Sequence, residues 1–286
     1  MSTLVEENAL RRCSAALAQR RPGEAEHIAR EVLSTNPQQT AALFFLGVAH
    51  LVQGRAQEAV KPLELAANNR PEASIETHLG MALRECGRLE EALTWLERAT
   101  SRWPVFAPAF KELGATYRKM RRFADAEAIL RRGQELAPAM PDLDMLLGAV
   151  CLDRGDPVKA QAVFTRVLAQ APGHAEALFG LGTALVNQGE FARAAGQYRQ
   201  ILAREPTHVR ALLYLGHCLM ELGQWDEGVA ILRSAAKADP AMRGHVMRML
   251  VGSAHGKFWL KRSAAAAFLE GAERIPDRTS VAAGSA

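Results

Sequence analysis

Eight histidines and four cysteines are the side chains of this 286-residue sequence best suited to hold a metal or attack a substrate. Two donors on one helix face or turn would need spacings such as HxxxH, HExxH or CxxC, and none occurs. Cys13, Cys86, Cys151 and Cys218 stand far apart, and so few thiols in so long a chain do not make a disulfide framework. His174 and His208 are 34 residues apart and each follows a proline by two, so they mark one recurring position rather than a ligand pair. No G-x-S-x-G elbow, phosphate-binding loop or dinucleotide glycine pattern supplies a nucleophile or a cofactor cradle. The expectation is a chain with no catalytic site, no cofactor and no metal site.

The recurrence of those histidines points to the elements that position everything else. Glycines fall at positions 47, 80, 114, 148, 182 and 216, at intervals of 33 once and then 34. Prolines fall at 37, 71, 104, 138, 172, 206 and 240, with the same interval of 34 and one of 33. Two independent residue types sharing one period define a repeat. A leucine precedes each glycine, a small residue follows twelve later (Ala59, Ala92, Ala126, Ala160, Ala194, Gly228), and a large apolar residue follows sixteen later (Leu63, Leu96, Leu130, Phe164, Tyr198, Leu232). Glycine lets two helices approach closely, turn glycines such as Gly54 and Gly87 end a first helix in the left-handed conformation, and each proline stops a second helix. A helix pair of this kind cannot bury its apolar stripe alone and must stack on its neighbours.

The segment ALFGLGTALVNQGEFARAAGQYRQILAREP carries Leu178, Leu181, Gly182, Leu185, Gly189, Phe191, Ala194, Tyr198 and Pro206. It resembles the tetratricopeptide repeat, and the resemblance extends over about residues 5–240. Four positions depart from the pattern: Glu76 and Asp144 replace the first large apolar residue, Arg121 replaces a turn glycine, and Cys13 replaces the signature glycine of the first unit. The resemblance implies an all-α fold, a right-handed superhelical α-solenoid of about seven helix-turn-helix repeats. Residues 241–273 read as a C-terminal capping pair of helices, at about 241–253 and 258–273, and the small, polar stretch 274–286 is expected to be disordered.

The same resemblance implies that the first helices of successive units line a concave groove, at six offsets from each signature glycine. Those offsets expose an apolar series: Phe44, Phe45, Val48, Leu51 and Val52 in one unit, Met81 in the next, then Met145, Leu146, Phe179, Leu213, Tyr214 and Met220. They also bring out a basic segment of Arg84, Lys111, Arg118 and Lys119. An apolar face opposite the core stripe suits an amphipathic helix or hydrophobic peptide, and methionines make it adaptable. The alternative is that residues 1–20 or a second copy of the chain cover the Phe44/Phe45 face. The basic segment suits acidic side chains, with a solvated charged face as the plainer reading. The asparagines of the family's carboxylate clamp are missing, so chaperone C-termini are not the expected ligand.

Sparse aromatics (6%) and abundant alanine fit closely packed helices, and the Ala/Arg richness fits a GC-rich bacterial genome. The net charge of +4 is scattered among 31 acidic residues, not gathered into the stripe a nucleic-acid binder shows. The N-terminus carries early acids and no secretory pattern, and no run approaches the ~18 apolar residues that span a bilayer. A cytoplasmic protein follows. The expected function is a non-enzymatic scaffold or adaptor for a protein or peptide. Two alternatives stand beside it: a regulatory or substrate-recognition subunit of a separate glycosyl- or sulfotransferase, and a self-assembling homo-oligomeric scaffold.

Overall fold

A computed structural model describes residues 3–138 and 140–251. Among them the chain is helical without strands. Four helix pairs come first: α1 (Thr3–Ala18) with α2 (Pro22–Thr35), α3 (Thr40–Val52) with α4 (Ala56–Asn69), α5 (Ala73–Glu85) with α6 (Leu89–Thr100), and α7 (Ala107–Lys119) with α8 (Phe123–Leu136). Then come α9 (Pro141–Arg154), α10 (Pro157–Gln170), α11 (Ala175–Asn187), α12 (Phe191–Leu202), α13 (Val209–Glu221), α14 (Trp225–Ala238) and α15 (Arg243–Val251). They gather into two compact units, one ending at Arg154 and one beginning at Gly155. Within each unit every helix packs on the next. In the first unit α1, α3, α5, α7 and α9 also touch in sequence, so these first helices share one side of it. Helix α15 lies within the expected first capping helix, whereas 258–273 and the tail 274–286 lie outside the described residues.

The periodic residues explain the pairing. A methyl group added at Gly80 would sit 2.4 Å from Leu96 Cγ, and at Gly47 2.4 Å from Leu63 Cγ. Gly114 bears the same relation to Leu130, and in the second unit Gly182 to Tyr198 and Gly216 to Leu232. The residue sixteen positions on thus lies directly over the bare glycine backbone, fully buried in every case. In the first repeat Cys13 stands in for that glycine. Its thiol is fully buried, lies 3.5 Å from the carbonyl oxygen of Ala25, and is pushed up to about 11 by burial, so it is a packing group and not a nucleophile.

First helices end alike. Gly54, Gly87, Gly189 and Gly223 have φ between 73° and 79°, and the next amide donates to the carbonyl five residues back, as Arg88 N–H does to Leu83 O at 2.9 Å. Arg121 adopts φ 59° at the same position, and Arg20, one period before Gly54, adopts φ 56°. Both keep the closing hydrogen bond, Arg122 N–H to Tyr117 O and Arg21 N–H to Ala16 O. The turn dictates the conformation, and the arginines bear the left-handed penalty of about 1 kcal/mol. Arg121→Gly is therefore expected to stabilise the protein by about 0.5–1 kcal/mol, seen as a higher urea midpoint at unchanged slope.

The departures at Glu76 and Asp144 are met by polar partners. Glu76 is fully buried, yet it sits on Arg102, whose Nη2 donates to Oε1 at 2.7 Å, and on Arg98 at 3.1 Å. Asp144 accepts from Gln134 Nε2 at 2.6 Å. A buried carboxylate persists only with such partners.

Candidate functional site

The core positions of α3 are filled by Ala42, Leu43 and Ala49, all buried. Its other face carries Phe44, Val48 and Leu51, half-buried, and Val52, 59% exposed. From α5 Met81 joins them, half-buried, along with His78, whose ring meets Phe44 edge-on at 5.1 Å. His78 Nδ1 lies 2.7 Å from Ser74 O, and burial lowers its pKa, so the ring stays neutral at pH 7 and adds no charge to the face. Phe45 differs. It packs against the buried cluster of Cys13, Ile28 and Ala29, so the chain's own first two helices cover part of it. Farther along the unit, Met145 and Leu146 of α9 are also half-buried.

The basic residues come together with acids. Arg84 Nη1 donates to Glu112 Oε2 at 2.6 Å and also contacts Glu85 at 3.1 Å. Lys111 Nζ reaches Asp142 at 2.9 Å, and Arg118 Nε reaches Asp153 at 2.5 Å. Lys119 Nζ donates to the backbone oxygen of Arg84 at 2.9 Å. The four cations stand among four carboxylates, so the segment expected to be basic is formally neutral. The more exposed pairs, Lys111–Asp142 and Arg118–Asp153, contribute little stability each.

In the second unit Phe179, Leu213 and Met220 are 7%, 4% and 1% exposed, so these three residues, expected in the groove, lie in the core. Leu213 and Met220 belong to a buried cluster with Val229, Leu232, Ala235 and Val246, the last contributed by α15. Phe179 is covered by Tyr214, edge-on at 5.0 Å, and by the Arg210 guanidinium 4.0 Å above its ring. Tyr214 remains half-buried and also meets Tyr198 at 5.7 Å. The acids that neutralise the basic segment were all visible at groove offsets, but the sequence reading left them unpaired.

Among the described residues no helix is long and apolar enough to cross a membrane. Three tetratricopeptide repeat models match the chain, one at residues 10–74 and 179–243, one at 152–197 and one at 77–103. No curated protein matches the sequence. Among solved structures, a tetratricopeptide repeat protein from Parabacteroides merdae superposes with a TM-score of 0.66 at 16% identity, over 85% of this chain and 98% of its own. A thermophilic tetratricopeptide protein of Thermus thermophilus gives 0.54 at 26% identity, over 63% and 99%. YrrB, a tetratricopeptide protein with an unusual peptide-binding site, gives 0.51 at 20% identity, over 63% and 94%. With its 34-residue period, its glycine-over-leucine helix pairs and these matches, the chain belongs to the tetratricopeptide repeat family.

Proposed function

We propose that this chain is a non-catalytic protein-interaction scaffold whose first unit receives an apolar helix face of a partner protein on α3 and α5. The observation that carries this reading is the continuous, partly exposed set of Phe44, Val48, Leu51, Val52 and Met81, which the core does not need. Contiguous apolar surface of this kind marks interfaces, and its residues fit the i, i+3, i+4 anchors of a docked helix. YrrB, which shares the fold, has a peptide-binding site, and this supports binding of a protein or peptide here. The neutral ladder on α5, α7 and α9 favours an apolar partner over an acidic one.

Affinity capture from the native lysate tests this, comparing the wild type with Phe44→Glu/Leu51→Glu. A carboxylate at either position is expected to weaken the bound partner at least tenfold, while circular dichroism stays unchanged because both side chains are only half-buried. Lys111→Glu/Arg118→Glu/Lys119→Glu is expected to change capture less than threefold. A partner retained by the first variant and lost by the second would overturn the reading in favour of acidic recognition.

A further inference from the structure

Trp103 is 86% exposed in the α6–α7 connection, the most exposed large apolar side chain among the described residues. It presents to solvent both a large apolar ring and an N–H donor, the combination that enriches tryptophan at interfaces. It borders a cleft of about 380 Å³ between two connections, with Pro71 and Glu72 on one side and Trp103, Pro104, Val105 and Phe106 on the other. The cleft lies within the first unit, on the two connections and the first turn of α5, whose Ala73 and Ser74 complete its lining; Phe44 and Met81 do not line it.

The chemistry around the cleft is selective. Its charged groups are already engaged: Arg102 is held by buried Glu76, and Glu72 pairs with Arg70 at 2.5 Å. What remains is mostly apolar, apart from the Ser74 hydroxyl and the Trp103 indole N–H, which makes no hydrogen bond to a described residue. The volume sits at the small end of ligand sites and cannot hold a helix about 10 Å across. The ligand that fits best is extended, uncharged, flat-faced for the indole and rich in carbonyl acceptors for the Ser74 hydroxyl and the indole N–H, with few N–H groups to leave unpaired on a mostly apolar lining. A polyproline II segment has these properties: rigid rings, no internal hydrogen bonds, outward carbonyls and no proline N–H. Aromatic-lined grooves take such segments at low entropic cost.

We propose that the Pro71–Phe106 cleft is a second recognition site, which binds a proline-rich extended segment through stacking on Trp103 and a hydrogen bond from its indole N–H. The test uses the full chain labelled with ¹⁵N and an acetylated, amidated eight-residue peptide of proline and leucine. One indole signal, identified by its loss in Trp103→Phe, is expected to shift saturably while the other three tryptophans stay put. Trp103→Ala is expected to weaken binding at least tenfold, with Trp103→Phe in between, and Phe44→Glu/Leu51→Glu is expected to bind the peptide like the wild type. Trp103 is so exposed that neither of its substitutions endangers folding. The proposal is overturned if no indole shifts at millimolar peptide, if Trp103→Ala binds equally well, or if a glycine-for-proline peptide or an amphipathic helical peptide binds as tightly. Failure here leaves the α3–α5 reading intact, because that face is tested by different variants and a different ligand.

Discussion

Arg102→Ala is expected to destabilise the protein by about 2–4 kcal/mol, whereas Glu76→Leu is expected to change stability by less than about 1 kcal/mol. The asymmetry follows from where each side chain lies. Glu76 has no exposure, so removing Arg102 leaves a buried carboxylate with Arg98 alone. Arg102 and Arg98 are 31% and 47% exposed, so both can turn to water once Glu76 is gone. Leucine also suits the site. The equivalent positions four residues before the signature glycine hold Leu43, Phe110, Leu178 and Leu212, each at most 5% exposed. The double variant Glu76→Leu/Arg102→Ala is expected to regain most of the loss from Arg102→Ala. Urea denaturation of the three variants checks this; equal destabilisation by both single changes would show that the pair contributes net attraction and is not merely compensating burial.

Gly80→Ala is expected to cost about 1–2 kcal/mol even though alanine is the better helix former by about 1 kcal/mol. The added Cβ would lie 2.4 Å from Leu96 Cγ and 2.7 Å from Cδ2, and Leu96 is fully buried with nowhere to retreat. Leu96→Ala alone opens a cavity and is expected to cost about 3 kcal/mol. In the double variant the alanine methyl enters the space that Leu96 vacates. The loss is then expected to fall short of the sum of the singles by at least about 1 kcal/mol in denaturation midpoints. Strict additivity would mean that the glycine serves the backbone and not the close approach of α5 to α6.

Much of this architecture is legible in the chain itself. Gly80 and Leu96, sixteen apart in each repeat, announce the closest contact, and the helix bounds follow the prolines and turn glycines. Arg20 escaped notice because no glycine marks its turn, although one period before Gly54 was enough to place it. The charge ladder was harder to see. Arg84–Glu112, Lys111–Asp142 and Arg118–Asp153 are 28, 31 and 35 residues apart, close to one repeat, which is the separation at which neighbouring first helices stand side by side. Reading each helix alone made Lys111, Arg118 and Lys119 look like a basic patch; pairing across the period gives Lys111 and Arg118 their acids, and with Arg84, Glu85 and Glu112 counted the segment is formally neutral. Glu76 looked like a flaw in the pattern because Arg102, its partner, lies in a connection that the pattern treats as a spacer. Leu213 and Met220 obey the groove offsets but lie in a buried cluster with Val229 and Leu232 of α14 and Val246 of α15, neighbours that offsets counted within a first helix do not register.

The central claim is that a partner sits on the first-helix face of α3 and α5. The most direct measurement places a photo-crosslinking amino acid at Val48 on α3 or, as a control, at the exposed Lys61 on α4. The account predicts that illumination in the presence of the captured partner joins it to the chain from position 48 and not from 61, and that Phe44→Glu abolishes the product. Crosslinking from 61 alone, or from 48 undiminished by Phe44→Glu, would contradict it.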